Sequence, residues 1–231
     1  MEFLPIAHIH THYEEKFGIP RQSGLAPSAE GTIVFLPEYR NPDALRGLEE
    51  FSHAWLLFDF SSAHRAGWSA TVRPPRLGGN ERVGVFASRS PFRPNSIGLS
   101  VVRLLEIRQT EREGCVLVVS GADLLNGTPI YDIKPYLPYA DCVPEAKGGY
   151  TERIPRICLQ VRDDARLLNA LPPQAAQALV ESLQQDPRPA FREEDDRVYG
   201  MKYDGFDVGF RVWNGILTIE RLQKTEKRSG E

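Results

Sequence analysis

The sequence predicts a mainly β protein in which a barrel or sandwich of short strands precedes a small α+β unit. Short β-branched and aromatic runs, separated by Gly, Pro, Asn or Ser clusters, fill the first two-thirds of the chain. These runs do not alternate with helices, and no G-x-G-x-x-G motif follows the first of them. We therefore do not expect a doubly wound Rossmann sheet. From about residue 155 a helical stripe appears between strand-like runs, which indicates a second, α+β region.

The strand-like runs of the first region follow one another at short intervals, as is typical of a barrel or sandwich. They are Phe3–His12, Thr32–Leu36, Phe51–Phe60, Arg82–Ser88, Leu99–Ile107, Cys115–Ser120 and Ile130–Ile133. One helical turn is predicted among them, because Asn41 can cap it, Pro42 suits its first position and Asp43 favours its start.

The C-terminal region is predicted to contain one amphipathic helix and a small sheet. Its elements are a strand at Ile157–Val161, a helix at Pro172–Gln185, and strands at Val198–Tyr203 and Phe206–Leu222 joined by a turn at Asp204-Gly205. The charged residues Arg192–Arg197 are expected to form a solvated loop, and Lys224–Glu231 a frayed terminus. Accordingly, residues 1–150 are predicted to form the β-rich domain and residues 155–231 the α+β domain.

Composition indicates a soluble globular protein that works in the cytoplasm. The 231 residues include no apolar run approaching the ~18 residues of a membrane span, and the N-terminus lacks a secretory signal. Cys115, Cys142 and Cys158 are few and widely spaced, so they are expected to be reduced rather than to form a disulfide framework.

The net charge of −3 gives no global attraction to nucleic acid, so any RNA contact must come from a local patch. One lysine-free basic segment is a candidate, and the alternative is an ordinary solvated rim. Against only Glu81 and Glu106 it carries Arg65, Arg73, Arg76, Arg82, Arg89, Arg93, Arg103 and Arg108.

The segment Gly84–Gly98 has the composition of a stiff anion-binding loop. Pro91 and Pro94 fix the backbone, which predicts that Arg89 and Arg93 point outward at little conformational cost. A rigid turn with surface guanidiniums is the simpler alternative.

A second polar segment, Gly121–Asp141, brings an acid and a cation to one strand face. Alternation predicts Asp132 and Lys134 on one side, with Tyr131 and Ile133 on the other. Asp123 is placed to hold a hydroxyl pair such as that of a ribose. The nearby tyrosines Tyr136 and Tyr139, which could stack on a purine or serve as packing residues, precede Asp141 on a proline-stiffened loop.

His8, His10 and His12 alternate along the first strand and suggest a zinc site as one hypothesis. Because His53 and His64 are not spaced as further ligands, an exposed polar strand face is the preferred interpretation and no metal is expected. A Gly-x-Ser-x-Gly elbow and a P-loop are both absent from the sequence.

The two polar segments resemble the TrmO family of tRNA (N6-threonylcarbamoyladenosine-37-N6)-methyltransferases. The resemblance is carried by Arg89-Ser-Pro-x-Arg-Pro-Asn-x-Ile-Gly-Leu-Ser100 and by Asp123-Leu-Leu-x-Gly-Thr-Pro…Asp-Ile-Lys-Pro-Tyr-x-Pro-Tyr-x-Asp141. It covers roughly the first 150 residues and extends more weakly beyond them. The chain departs from the family at Phe92, Ser96 and Asn126, where histidine, proline and aspartate are common.

The resemblance implies a β-barrel, not a Rossmann domain, that binds S-adenosylmethionine and methylates the tRNA anticodon stem-loop as a homodimer, with each site near the subunit contact. Implied cofactor contacts are Pro20, Arg21, Gln22, His64, Arg89, Leu99, Asp123, Leu124, Leu125 and Asn126. The candidate catalytic residues are Asp132, Asp141, Lys134 and Tyr136, with Asp132 and Asp141 as candidate proton acceptors. The candidate substrate contacts are Arg93, Asn95, Lys134 and Tyr136. A non-catalytic RNA-binding barrel is the alternative hypothesis.

Overall fold

The computed structural model describes residues 3–78, 81–154, 156, 158–189 and 197–225. In chain order, the strands are β1 (Ala7–Thr11), β2 (Glu30–Phe35), β3 (His53–Asp59), β4 (Thr71–Val72), β5 (Val83–Gly84), β6 (Ile97–Thr110), β7 (Gly114–Ser120), β8 (Thr128–Pro135), β9 (Gln160–Arg162), β10 (Tyr199–Tyr203), β11 (Phe206–Trp213) and β12 (Ile216–Lys224). The α-helices are α1 (Pro138–Asp141) and α2 (Pro173–Gln184). Among the described residues, neither helix is long and apolar enough to cross a membrane.

Six antiparallel strands close into a barrel in the order β1-β2-β7-β6-β3-β8, which confirms the predicted mainly β architecture. Alternate residues point inward, so β2 and β3 bury one side chain in two, whereas residues 116–120 of β7 are all buried. Ile9, Ile33, Leu56, Leu117 and Ile130 are completely inaccessible to solvent and form the centre of this barrel core. Burial of these side chains is the main stabilising contribution of the pattern.

A β-bulge changes the predicted faces of β8. The register with β3 shifts between Leu57 and Phe58, which leaves Tyr131 as the extra residue between Ile130 and Asp132. Ile133 packs against the barrel core, whereas Tyr131 lies beside the Asp59 carboxylate. The prediction that Tyr131 and Ile133 share one face is therefore wrong, because strict alternation does not continue through a bulge.

Residues 61–96 form a long excursion between β3 and β6, which we call the arm. The predicted strand Arg82–Ser88 is reduced here to β5, which pairs only with β4 and is followed by a 3-10 turn at Val85–Ala87. The Ser88 hydroxyl donates to the Val85 carbonyl at 2.9 Å and closes that turn. A closed barrel leaves no edge for the run to extend, so local turn chemistry decides its conformation.

The C-terminal region is a four-stranded sheet in the order β10-β11-β12-β9, packed against α2. The predicted helix is confirmed within one residue at each end, and Asp204-Gly205 forms the predicted turn with both residues at positive φ. The predicted strand Phe206–Leu222 is two strands, because Asn214-Gly215 forms a second turn of the same kind. The predicted first strand begins later, at Gln160, with residue 157 outside the described residues.

The N-terminal part of the chain contributes to the core of this C-terminal sheet. Tyr13, Ala26 and Ala29, from the segment between β1 and β2, are buried in the same cluster as Leu179 and Phe210. Residues 192–196 of the charged run and residues 226–231 of the tail lie outside the described residues. The predicted domain boundary stays a prediction.

The short turns of the first region depend on local capping. The Asn41 side chain accepts a hydrogen bond from the Asp43 amide at 3.0 Å, so the predicted turn forms as a 3-10 helix over Pro42–Leu45. Other 3-10 turns and the helix α1 were not predicted, because segments of three or four residues are too short to show a periodic pattern.

Candidate cofactor site

Asp123 follows β7 and turns its carboxylate toward the interior of the barrel. The hydroxyl of Ser100, a buried residue of β6, donates to Asp123 Oδ1 at 2.6 Å. Burial raises the pKa of the Asp123 carboxyl, while the Ser100 hydroxyl, its own amide and the Arg89 charge act in the opposite direction. A partly buried carboxylate that is incompletely compensated is well suited to accept hydroxyl hydrogen bonds from a ligand.

Arg89 and Gln22 join Asp123 in this group. The Arg89 guanidinium is exposed and donates to Gln22 Oε1 at 2.5 Å, and its charge acts on Asp123. The loop that carries Arg89 and the segment that carries Gln22 are far apart in sequence, so the fold alone brings them together. We call Gln22, Arg89, Ser100 and Asp123 the loop-end cluster.

A chain of hydrogen bonds connects the loop-end cluster to the C-terminal region. Gln22 Nε2 donates to the Arg21 carbonyl at 2.5 Å, and Arg21 Nη2 donates to the Arg188 carbonyl at 3.0 Å. The Arg188 guanidinium in turn donates to both oxygens of Asp186 at 2.9 Å. The segment after α2 therefore fixes the position of Arg21, and through it the position of Gln22. Pro20, also predicted to contact the cofactor, is buried beside this connection.

A cavity of about 150 Å³ lies where this connection is made. Its lining includes Lys16, Phe17 and Arg21 from the N-terminal segment and Gln185 and Asp186 from the end of α2. Small-molecule sites usually enclose roughly 300–1,000 Å³. At about 150 Å³ this cavity is smaller than such sites usually are.

Leu99 lies on the opposite face of β6 from Ser100. Its side chain is 51% exposed on the outside of the barrel, next to Leu57 on the neighbouring strand. Leu57 pairs on its other side with Asp132, so Leu99, Leu57 and Asp132 form one row across three strands. The predicted cofactor contacts Leu99 and Asp123 are therefore divided between the two sides of the barrel wall.

His64 belongs to the outer side as well. Its Nε2 atom lies 2.7 Å from Asp59 Oδ1, and Asp59 shares the outer face of β3 with Leu57. Tyr131 lies beside the same carboxylate. Loss of hydration raises the pKa of the Tyr131 phenol, and the negative charge of Asp59 raises it further. We call His64, Leu99, Asp132 and Lys134 the outer-face cluster.

The two predicted proton acceptors have different partners. Asp132 Oδ2 forms an exposed ion pair with Lys134 Nζ at 2.9 Å, as their shared face predicted. Asp141 Oδ2 accepts from Trp55 Nε1 at 3.0 Å and from the Leu137 amide at 2.8 Å, so it also closes the turn that begins α1. The Tyr136 ring lies 5.8 Å from the Trp55 ring. Trp55 was not predicted as a site residue, since an aromatic residue in a strand normally indicates packing.

Other predicted contacts serve the fold in this structure. Leu124 is buried in the barrel core, and Leu125 accepts hydrogen bonds from Thr128 through its carbonyl. Asn126 is exposed, and its Oδ1 atom accepts from the Thr11 amide at 3.2 Å, so its side chain fastens the end of β1.

Arg93 does not point outward as predicted. Its Nη1 atom donates to the Ser88 carbonyl at 3.0 Å, which folds the guanidinium back onto the loop. Two prolines remove backbone donors from this loop, so a side-chain donor replaces one of them. Asn95 is exposed.

Two of the three histidines near the N-terminus, His8 of β1 and His12 just after it, lie close to other polar groups. His8 Nδ1 lies 3.1 Å from the Gly127 carbonyl, and His12 Nδ1 lies 2.9 Å from Asp204 Oδ1. Within the part of the chain that the structure describes, no three His, Cys, Asp or Glu side chains are grouped to hold a metal ion.

The fold and this arrangement of groups define a non-Rossmann β-barrel protein with a polar site at one end of its barrel. The chain belongs to the TrmO family: the tRNA-methyltransferase O N-terminal domain matches residues 8–142, and the TrmO C-terminal domain matches residues 156–225. The resemblance seen in the two sequence motifs is thereby confirmed and extends over both parts of the chain.

Relatives and solved structures match this chain over nearly its whole length. It is 44% identical over 230 residues to the tRNA (adenine(37)-N6)-methyltransferase of Escherichia coli K12, with 96% of this chain and 97% of the relative covered. It is 46% identical over 211 residues to the putative S-adenosylmethionine-dependent methyltransferase RcsF of Pseudomonas aeruginosa PAO1, covering 88% and 89%. The crystal structure of TrmO from P. aeruginosa superposes with a TM-score of 0.78 at 36% identity, covering 97% of each chain.

Proposed function

We propose that this protein transfers a methyl group from S-adenosylmethionine to N6 of adenosine 37 of tRNA, and that this adenosine carries the threonylcarbamoyl group. The observation that carries the proposal is the 44% identity to the E. coli tRNA (adenine(37)-N6)-methyltransferase over 96% of this chain. The physical support is that the loop-end cluster is built from the motif residues Arg89, Ser100 and Asp123. A tRNA-modifying enzyme of this kind would act in the cytoplasm.

The loop-end cluster fits the polar groups of S-adenosylmethionine. Arg89 is exposed and cationic, so it can pair with the methionine carboxylate through two parallel hydrogen bonds. Asp123 can accept from the ribose hydroxyls, because part of its hydrogen-bonding capacity faces away from Ser100. When bound, the sulfonium supplies an electrophilic methyl group, so the task left to the protein is alignment.

We assign the acceptor end of the reaction to the outer-face cluster. The threonyl carboxylate of the substrate would compete with Asp132 for Lys134, since both are carboxylates and the ion pair is exposed. Asp132 would then be free to accept the N6 proton as the new bond forms. Asp141 remains the second candidate acceptor, but its tie to Trp55 and Leu137 also gives it a structural role. In this proposal Tyr136, Arg93 and Asn95 contact the anticodon loop.

We further propose that the protein is a homodimer in which the loop-end cluster of one subunit meets the outer-face cluster of the other. Leu99 is half exposed in a row with Leu57, and such apolar outer surface is usually covered in an assembly. A site shared between subunits would also bring Asp123 of one subunit close to Leu99 of the other, whereas within one subunit these two predicted cofactor contacts lie on opposite sides of the barrel wall. Because a twofold contact is self-complementary, each dimer would contain two such sites.

Nucleoside mass spectrometry of tRNA tests the activity. We expect purified protein with S-adenosylmethionine to convert threonylcarbamoyladenosine 37 into its N6-methyl form. Arg89→Ala should weaken cofactor binding by roughly 10- to 100-fold, the effect of removing a charged hydrogen bond. Arg108→Ala is the matched control, because Arg108 pairs with Glu106 at the far end of β6. RNA binding without methylated product, and without cofactor binding, would support the non-catalytic RNA-binding barrel instead.

Subunit mixing tests the shared site. At an S-adenosylmethionine concentration well below the Kd of the Asp123→Asn protein, the Asp123→Asn and Asp132→Asn proteins should each have little activity alone, because each lacks one side of every site. After mixing and re-equilibration, random pairing should restore roughly a quarter of the sites, since half of the dimers are mixed and each has one intact site. Mixed protein that stays as inactive as its parents would show that each site lies within one subunit.

A further inference from the structure

Two exposed aromatic rings stand together on the arm. Trp68 is 56% exposed and Phe86 is 73% exposed, and their ring centroids lie 6.2 Å apart at an interplanar angle of 32°. The pairing of β4 with β5 holds them in place, and the Val85 amide donates to the Ala70 carbonyl at 2.9 Å. The rings are thus positioned by backbone hydrogen bonds rather than by a surrounding core.

Neither ring belongs to a hydrophobic core of the described residues. The barrel core and the C-terminal core both lack Trp68 and Phe86. Ala63 and Val85 of the arm are buried, whereas the two large rings remain exposed. Two adjacent exposed aromatic side chains usually mark a surface that contacts a partner.

The arm that carries the two rings is strongly basic. Glu81 is the only acid in residues 61–96, against six arginines and no lysine, and its carboxylate lies 3.6 Å from Arg153. Arg65 and Arg82 are exposed. The Arg82 guanidinium donates to Thr71 Oγ1 at 2.9 Å, which holds it beside β4.

One arginine of the arm already packs against an aromatic ring. The Arg65 guanidinium lies 3.7 Å from the centre of the Phe92 ring, within cation–π distance. Planar guanidiniums next to open rings are the combination that proteins use to bind single-stranded RNA, because arginines take phosphates while bases stack on aromatic faces.

We infer that Trp68 and Phe86 form a base-stacking surface for the unpaired nucleotides of the tRNA anticodon loop, with Arg65 and Arg82 on the adjacent phosphates. The inference rests on the proposed function for the identity of the RNA. A second copy of the chain is the less suitable occupant, because a twofold contact at this surface would place the same arginines against each other.

Fluorescence anisotropy with a labelled anticodon stem-loop RNA tests the surface in the full-length protein. We expect Trp68→Ala and Phe86→Ala each to weaken RNA binding about tenfold or more, the usual loss for one stacked base. Trp68→Phe should recover most of that loss, because it keeps a stacking face. S-adenosylmethionine binding should be the same in all three variants.

Trp213→Ala is the matched control, because Trp213 is an equally exposed tryptophan (57%) on β11 of the C-terminal sheet. It should bind the RNA like the wild type. Trp68→Ala and Phe86→Ala proteins that also bind like the wild type would overturn the inference. So would a change of oligomeric state in these variants by sedimentation, since that would assign the surface to contacts between copies.

The inference and the proposed function fail in different ways. Wild-type protein that binds the RNA through Trp68 and Phe86 but transfers no methyl group would contradict only the function. Active protein in which both substitutions leave the KM for tRNA unchanged would contradict only the stacking surface.

Discussion

Asp123 and Asp132 both belong to the family motifs, but the barrel buries the first carboxylate and leaves the second exposed. Asp123 lies with Ser100 on the inner side of β6, where burial raises the pKa of its carboxyl. Asp132 lies on the outer face, in an exposed ion pair with Lys134. An acid that is kept partly buried without a full counter-charge costs stability, whereas an exposed pair contributes little either way. The difference suggests that Asp123 is preorganised for a ligand, and that Asp132 is free to exchange its partner.

The largest effect is expected on the outer side. Asp132→Asn should lower kcat by roughly 100- to 10,000-fold, the usual range for loss of a general base, with little change in cofactor affinity. Asp141→Asn provides the comparison, and its loss should be smaller if Asp141 mainly holds Trp55. Single-turnover rates at saturating S-adenosylmethionine check this, because they report the methyl-transfer step separately from cofactor binding. Equal losses in both variants would contradict the assignment to Asp132.

On the inner side, Asp123→Asn should weaken S-adenosylmethionine binding by roughly 10- to 100-fold, since it removes a charged acceptor for the ribose hydroxyls. The rate at saturating cofactor should change far less. Calorimetric titration with S-adenosylmethionine and with its product separates the two effects. Unchanged affinity would remove Asp123 from the cofactor site.

The connection from Asp186 to Gln22 predicts a smaller effect on the same affinity. Asp186→Asn removes the charge that orients Arg188, and so loosens the carbonyl that holds Arg21. We expect a severalfold higher KM for the cofactor with nearly unchanged kcat. Glu220→Gln is the control, because it breaks another carboxylate–arginine ion pair of the C-terminal region, the more exposed pair with Arg211 at 2.8 Å. If both variants behave alike, the C-terminal region affects the site only through general stability.

The smallest expected effect is the change in Tm on replacing Asp123. A rise in Tm would indicate an acid kept for ligand binding, and a fall would indicate an acid that stabilises the fold. Because the pKa of Asp123 is raised, the native state holds its proton more tightly, and the free energy of unfolding falls as pH rises from 3.8 through the raised value. Asp123→Asn removes this loss, so it should raise Tm by about 1–3 °C at neutral pH and have no effect below the window.

Asp163→Ala is the opposite case for that measurement, because it removes a carboxylate that stabilises the fold. The Asp163 carboxylate accepts from the Leu167 and Leu168 amides at 2.7 and 2.9 Å, so its loss should destabilise the fold by about 1 kcal/mol. Thermal unfolding of the Asp123 and Asp163 variants at several pH values gives the change in Tm that each prediction requires. A lower Tm for Asp123→Asn at neutral pH would mean that its hydrogen bonds outweigh its burial.

The sequence alone determined the features that depend on near neighbours. The 3-10 turn at Pro42–Leu45 and the turn at Asp204-Gly205 were predictable because cap and turn chemistry acts within a few residues. The two motifs identified the family, and strand alternation placed Asp132 and Lys134 on one face. The Asn214-Gly215 turn carries the same local signal, but it lies inside a long strand-like run that the pattern predicts as one strand.

Only the tertiary structure decided which distant residues meet. Arg89 reaches Gln22 across 67 positions, and Arg21 reaches Arg188 across 167, because the closed barrel and the C-terminal sheet share the segment between β1 and β2. The same closure turns Leu99 outward while Asp123 faces in, and it leaves Trp68 without a core to join. Strand periodicity shows which residues share a face, but only barrel closure decides which face becomes the interior.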